Sequence, residues 1–210
     1  MNRNEIKLDQ FSYYQPTQPR AERTFSLILK TALETIENDG IDALNTNRVA
    51  EDCQINISTL YHYFRNKDVI VYALYKRWFD KVEAIAEDHR KNIKPGTNYK
   101  KFYRNMILDF LTVEDYTPKA AVALEQAIKI RSELAEYDNL VTEASVEGYI
   151  EDLITFGANK STKELVIPAT QILIAVWGAI TIAASYAPEE HINITECTAD
   201  MIAAVIKRTL

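Results

Sequence analysis

Glycine is scarce in this chain, five residues in 210, and none stands in the spacing of a phosphate-cradling loop. A nucleophile elbow and a pair of histidines at metal-ligand spacing are also missing. His62, His89 and His191 are scattered, and the consecutive Glu87, Asp88 and His89 point around a helix instead of at one ion. The chain is therefore expected not to be an enzyme and to require no cofactor or metal. Cysteine is nearly absent: Cys53 and Cys197 lie in different expected helices, too few for a disulfide framework or metal cluster, and they suit a reduced cytoplasmic setting. Basic residues are not in excess, 24 Lys+Arg against 30 Asp+Glu for a formal net charge of -6. Residues 1–94 hold 14 of each sign and residues 95–210 hold 10 basic against 16 acidic. This excludes a broadly basic nucleic-acid coat and leaves any DNA binding dependent on hydroxyls, helix N-termini and cations such as Arg48, Arg65 and Lys67. Repeats and low-complexity tracts are absent, and residues 1–20 lack the apolar core of a secretory signal.

What is present is a patterned stretch over 45–67, NTNRVAEDCQINISTLYHYFRNK. Thr46 is placed to cap a short helix that buries Val49, Ala50 and Cys53. Gln54 and Ile55 make a turn, Ile55 facing the core, and Asn56 caps a second helix that buries Leu60 and Phe64. The opposite face presents Ile57, Ser58, Thr59, Tyr61 and Tyr63, with His62 at its edge. Hydroxyls can bond base edges or phosphate, and the methyls of Ile57 and Thr59 can meet the thymine methyl. Asn66 then caps a third helix that opens at Lys67, a cation beside free N–H groups where a phosphate would lie.

These residues resemble the TetR family of transcriptional regulators, whose motif joins T-x-x-x-A, a short turn and T-L-Y-x-x-F-x-x-K. Here the segments are Thr46 to Ala50, then Thr59, Leu60, Tyr61, Phe64 and Lys67. Arg23, Phe25, Ile28, Leu29, Ala32, Leu33 and Ile36, followed by Gly40, look like the family's first helix. The likeness covers roughly residues 20–80. It departs at Gln54, where the family usually has a glycine, so this turn needs a left-handed glutamine or a different shape. The candidate DNA contacts are Thr46, Asn47 and Arg48 with Asn56, Ile57, Ser58 and Thr59, then Tyr61, His62, Tyr63 and Lys67.

The expected fold is all-α, an N-terminal three-helix helix-turn-helix domain joined by a connector helix to a C-terminal helical ligand-binding and dimerisation domain. Its parts are an arm over 1–20, the DNA-binding domain with the start of the connector over 21–80, and the helical domain over 81–210. Pro16 and Pro19 keep the arm extended, whether as a disordered tail or as a strand that follows the minor groove through Arg3, Lys7, Arg20 and Arg23. The connector pattern continues to about Asn92, where Lys94, Pro95 and Gly96 stop it. Later helices begin near Asn98, Thr117 and Ser132, and the last covers about 194–207.

Residues 165–187 carry no formal charge and are long enough to span a bilayer. Pro168, Thr170, Gln171, Thr181 and Ser185 dilute that run, and small residues recur at Ala175, Ala179 and Ala183. The expectation is a soluble four-helix interface between two copies, with no membrane partner. A homodimer would read a palindromic operator in double-stranded DNA. The resemblance further implies a repressor released by a small effector. Excess aromatics place an apolar pocket for it among Trp78, Phe102, Met106, Phe110, Leu124, Ile128, Tyr149, Leu153 and Trp177. The expected location is the bacterial cytoplasm, on the nucleoid when DNA is bound. The other class kept open is a DNA-binding adaptor or architectural protein of the same fold that takes no ligand.

Overall fold

The computed structural model describes residues 11–94 and 96–210, and among these every long element is a helix. Helix α1 (Pro19–Asp39) starts with proline at its first position and buries Phe25, Ile28, Leu29, Ala32, Leu33 and Ile36, a single stripe at helical spacing. Gly40 ends it with a φ of 81°, a left-handed value that glycine adopts without strain, and returns its N–H to the Ile36 carbonyl at 3.1 Å. Two short helices follow, α2 (Thr46–Asp52) and α3 (Ile57–Tyr63), then α4 (Lys67–Arg90). Beyond them lie α5 (Tyr99–Leu111), α6 (Pro118–Lys129), α7 (Ser132–Thr155), α8 (Thr162–Ala183) and α9 (His191–Lys207). The fold is all-α with its helix-turn-helix at the N-terminal end, as the periodicity indicated.

The contacts gather into two compact units that interleave in sequence: residues up to Trp78 with Ala120–Asp138, and Phe79–Lys119 with Asn139–Leu210. In the first unit, α1, α2 and α3 pack together and the early turns of α4 are buried from Val69 to Tyr75. Side chains near the start of α7 fasten onto α4. Arg131 bonds Asp68, the Tyr75 hydroxyl donates to buried Asp138, and the Tyr72 and Tyr137 rings meet edge-on at 5.0 Å.

Residues 1–10 of the expected arm lie outside the described residues. From Phe11 the chain runs without regular structure but packed: Phe11 is only 4% exposed, its ring 5.4 Å from that of Tyr72. Tyr13 sits 5.9 Å from both Phe25 and Phe64.

In the second unit α5, α8 and α9 pack against one another, and α5 is tied to α9 by Lys100 on Asp200 at 2.6 Å and Arg104 on Glu196. Glu164, in the first turn of α8, accepts from the N–H and hydroxyl of Ser161, which holds its carboxyl below the ordinary range. The unit also contains a buried charge. Asp152 on α7 is 1% exposed and accepts from Arg90 Nε at 3.0 Å and from the Tyr103 hydroxyl at 3.2 Å. Burial pushes its carboxyl above the usual range, and Arg90 with Tyr103 draws it back.

Gly148 leaves room for the guanidinium of this pair, because a Cβ there would lie 2.7 Å from a terminal Arg90 nitrogen. Gly148→Ala would gain about 1 kcal/mol of helix propensity, but displacing Arg90 from a buried carboxylate costs about 3 kcal/mol. The expected result is a lower urea midpoint for Gly148→Ala; a higher one would mean that Arg90 leaves Asp152 at little cost.

Candidate nucleic-acid interface

The site is built on α2 and α3, both too short to persist alone. Asn45 caps α2, its Oδ1 accepting from the N–H groups of Asn47 at 2.8 Å and Arg48 at 3.4 Å. The cap expected at Thr46 thus falls one residue earlier, since Thr46 already has helical backbone as the first residue of α2. That releases the Thr46 hydroxyl to meet the Tyr61 hydroxyl at 3.2 Å, a bond from α2 to the exposed side of α3. Val49, Ala50 and Cys53 are buried as expected. Burial also pushes the Cys53 thiol up, so it is no reactive thiolate.

The turn keeps its glutamine. Gln54 takes φ 53°, the left-handed conformation, and the Ile55 N–H returns to the Ala50 carbonyl at 2.9 Å. Ile55 itself is half-buried. Asn56 caps α3 as expected, accepting from the Ser58 N–H and hydroxyl, both at 2.9 Å. Asn66 caps α4, its Oδ1 accepting from the Val69 N–H at 3.0 Å.

Leu60 and Phe64 are wholly buried, which turns Ser58, Tyr61 and His62 outward with Ile57 and Thr59 at the margins. Asn47 and Arg48 are exposed on α2 and Lys67 is half-buried at the start of α4. The Thr46–Tyr61 bond brings the start of α2 to the exposed side of α3. Tyr63 does not lie on that side. It is 6% exposed, its hydroxyl donating to the Ala21 carbonyl at 3.2 Å and its ring 5.9 Å from Phe25. Its place three residues after Leu60 on the same stripe is the sequence signal for that burial. Arg48 lies 3.7 Å from Asp39 and 3.8 Å from Asp52, so part of its charge is already spoken for before any phosphate arrives.

A sequence model of bacterial regulatory proteins, tetR family, matches residues 28–74, which covers α1 from Ile28, both short helices and the start of α4. This N-terminal segment belongs to the TetR family. The family is one of regulatory proteins, not of enzymes. Among relatives, the tetracycline repressor protein class D of Escherichia coli is 31% identical over 84 residues, covering 40% of this chain and 36% of that protein. An uncharacterized HTH-type transcriptional regulator YuxN of Bacillus subtilis (strain 168) is 22% identical over 142 residues, covering 64% of this chain and 46% of its own length. The chain thus spans less than half the length of the curated relatives it matches. The crystal structure of SCO4454, a TetR-family regulator from Streptomyces coelicolor, superposes with a TM-score of 0.65 over 89% of this chain and 95% of that one, at 16% identity. That likeness extends the shared fold to the C-terminal helices.

The nine expected pocket residues divide between the two units. Trp78, Leu124 and Ile128 belong to the first, and Phe102, Met106, Phe110, Tyr149, Leu153 and Trp177 to the second. All are buried except Trp177, which is half-buried on α8. Phe102 also borders a cavity of about 500 Å³ at the α4 end and α5 start, whose other walls are polar and include His89 bonded to Asp109 at 2.7 Å. Neither Asn92 nor Asn98, which line it, was singled out by the apolar pattern.

The strained turn gives a direct test of the module. Gln54→Gly is expected to raise stability by about 0.5–1 kcal/mol, read as a higher melting temperature. An unchanged or lower value would show that the Gln54 side chain makes up for its backbone conformation.

Proposed function

We propose that this protein is a dimeric transcriptional regulator that binds palindromic duplex DNA through α2 and α3 and acts as a repressor released by a small effector. The observation that carries this reading is the outward face of α3, where Ser58 is exposed and Tyr61 bonds Thr46 of α2 while Leu60 and Phe64 anchor the helix from below. A short helix with hydroxyls and methyls at its N-terminal end suits base edges in the major groove. In functional terms the DNA-binding domain is residues 21–80 and the effector and dimerisation domain is residues 81–210, with any arm preceding both.

Dimerisation is supported by apolar residues left at the surface of the last two helices. Ile167, Ile174 and Ile182 on α8 and Ile192 and Met201 on α9 are all at least half exposed or nearly so, while the opposite stripes are buried. The α8 helix is long and apolar enough to cross a membrane, with 33% of its apolar window buried. We read its exposed side as the seam of a four-helix interface, and the protein as cytoplasmic, on the nucleoid when bound. Two α3 helices related by a two-fold axis then read half-sites about one helical turn, roughly 34 Å, apart. The repressor and effector roles draw on the E. coli relative, whose name joins a repressor to a small molecule. The candidate effector residues are those around Phe102, Met106, Tyr149 and Leu153 in the second unit, where apolar and aromatic side chains concentrate. Release by effector needs differential affinity for two α3 spacings, and a tenfold loss of DNA affinity corresponds to about 1.4 kcal/mol of coupling.

The first experiment is selection of bound fragments from genomic DNA of the source, followed by a search for a shared inverted repeat. Enrichment of a palindrome is expected; none would move the weight to an adaptor of the same fold that takes no ligand. On the selected site, Lys67→Ala is expected to weaken all sequences alike and to reduce the salt slope by about 1. Substitution of Ser58 or Thr59 is instead expected to relax preference at one base position, by about 1–3 kcal/mol. Equal relaxation by both kinds of variant would show the two roles to be wrongly assigned.

A further inference from the structure

We propose that Tyr14, a residue that precedes the helix-turn-helix, is part of the DNA-contacting surface, where its hydroxyl donates to a backbone phosphate beside the C-terminal end of α3. The inference rests on the reading of α3 as a recognition helix.

The segment is held in place. Phe11 is buried against Tyr72 and Tyr13 lies between Phe25, Phe64 and Tyr72. Between these anchors and α1 the Tyr14 N–H donates to the Tyr63 carbonyl at 3.3 Å. That carbonyl is one of those a helix C-terminus leaves without an intrahelical partner, so the segment completes α3. The Tyr14 ring lies 4.9 Å from the His62 ring and 5.9 Å from Tyr63, yet the residue stays 45% exposed. Its neighbours Phe11 and Tyr13 turn into the module; Tyr14 turns along the outer surface of α3.

Position decides the chemistry. In a helix-turn-helix the N-terminal residues of the second helix meet the base edges. The last turn of α3 lies about 8 Å further along the helix, at 1.5 Å per residue from Ile57 or Ser58 to Tyr63, toward the wall of the groove. Phosphate oxygens line that wall, and a phenolic hydroxyl donates to them without carrying charge. A ring already packed on His62 loses little freedom on making the contact.

The contact thus contributes affinity without base preference and without counterion release, a combination that separates it from Lys67. In the full chain, Tyr14→Phe keeps the ring and removes only the hydroxyl. On the selected palindromic duplex it is expected to bind about three- to tenfold more weakly, by the same factor on variant duplexes and at every salt concentration, with an unchanged melting temperature. Parental affinity of Tyr14→Phe while Lys67→Ala weakens binding would overturn the proposal and leave the recognition reading intact. Loss with Tyr14→Ala but not with Tyr14→Phe would also overturn it, because the ring and not the hydroxyl would then matter. If the parent chain binds no duplex, both readings fail together.

Discussion

A helix of seven residues does not hold itself together in water, and the whole site depends on how α3 escapes that limit. It does so by being anchored from below and closed at both ends. Leu60, Tyr63 and Phe64 give it one buried face, with the Phe64 ring stacked 5.1 Å from Phe25 on α1. Asn56 satisfies its first N–H groups and the Tyr14 N–H meets the carbonyl of Tyr63. The outward residues of α3 carry lighter duties, the Ser58 hydroxyl bonding Asn56 and the His62 ring lying against Tyr14. Thr46 and Tyr61, bonded to each other, couple the two short helices on the side proposed to face DNA.

The second unit solves a different problem, that of holding a charge inside. Asp152 is tolerated because Arg90 and Tyr103 both direct donors at it and because Gly148 leaves room for the guanidinium. Burial works against the Arg90 cation, and the carboxylate beside it more than makes up the difference, so Arg90 stays charged. Such a pair adds little net stability compared with apolar packing, but it fixes which turns of α4, α5 and α7 face one another. The apolar residues left outside on α8 and α9 are of the opposite kind. They cost nothing to the packing of the unit and gain only when something covers them.

Much of this was legible in the residues. The starts and ends of the long helices follow from capping residues, prolines and glycines, and the register 60, 64 on α3 was plain from its apolar spacing. Gln54 was legible as the one awkward position of the turn, and its φ is indeed left-handed. Other features were not. Asn45 and Thr46 are both good caps, and only the backbone decides which of two adjacent acceptors stands outside the helix. The spacing of Tyr63 from Leu60 signals burial of its ring, but that its hydroxyl finds the Ala21 carbonyl is seen only in the structure. The segment from Phe11 read as an arm because prolines and polar residues surround it, whereas its aromatics find rings contributed by α1, α3 and α4.

The sequence by itself determined the helices, the caps at Asn56 and Asn66, and the two-helix motif with its TetR likeness, because each depends on neighbours within a few residues and on a short pattern of types. Only the tertiary structure decided which aromatics are core and which are surface, where the buried aspartate finds its cation, and that residues 120–138 pack with the N-terminal helices. Those outcomes depend on partners tens of residues away, and local periodicity carries no information about which distant ring, carbonyl or guanidinium will arrive to complete a side chain's surroundings.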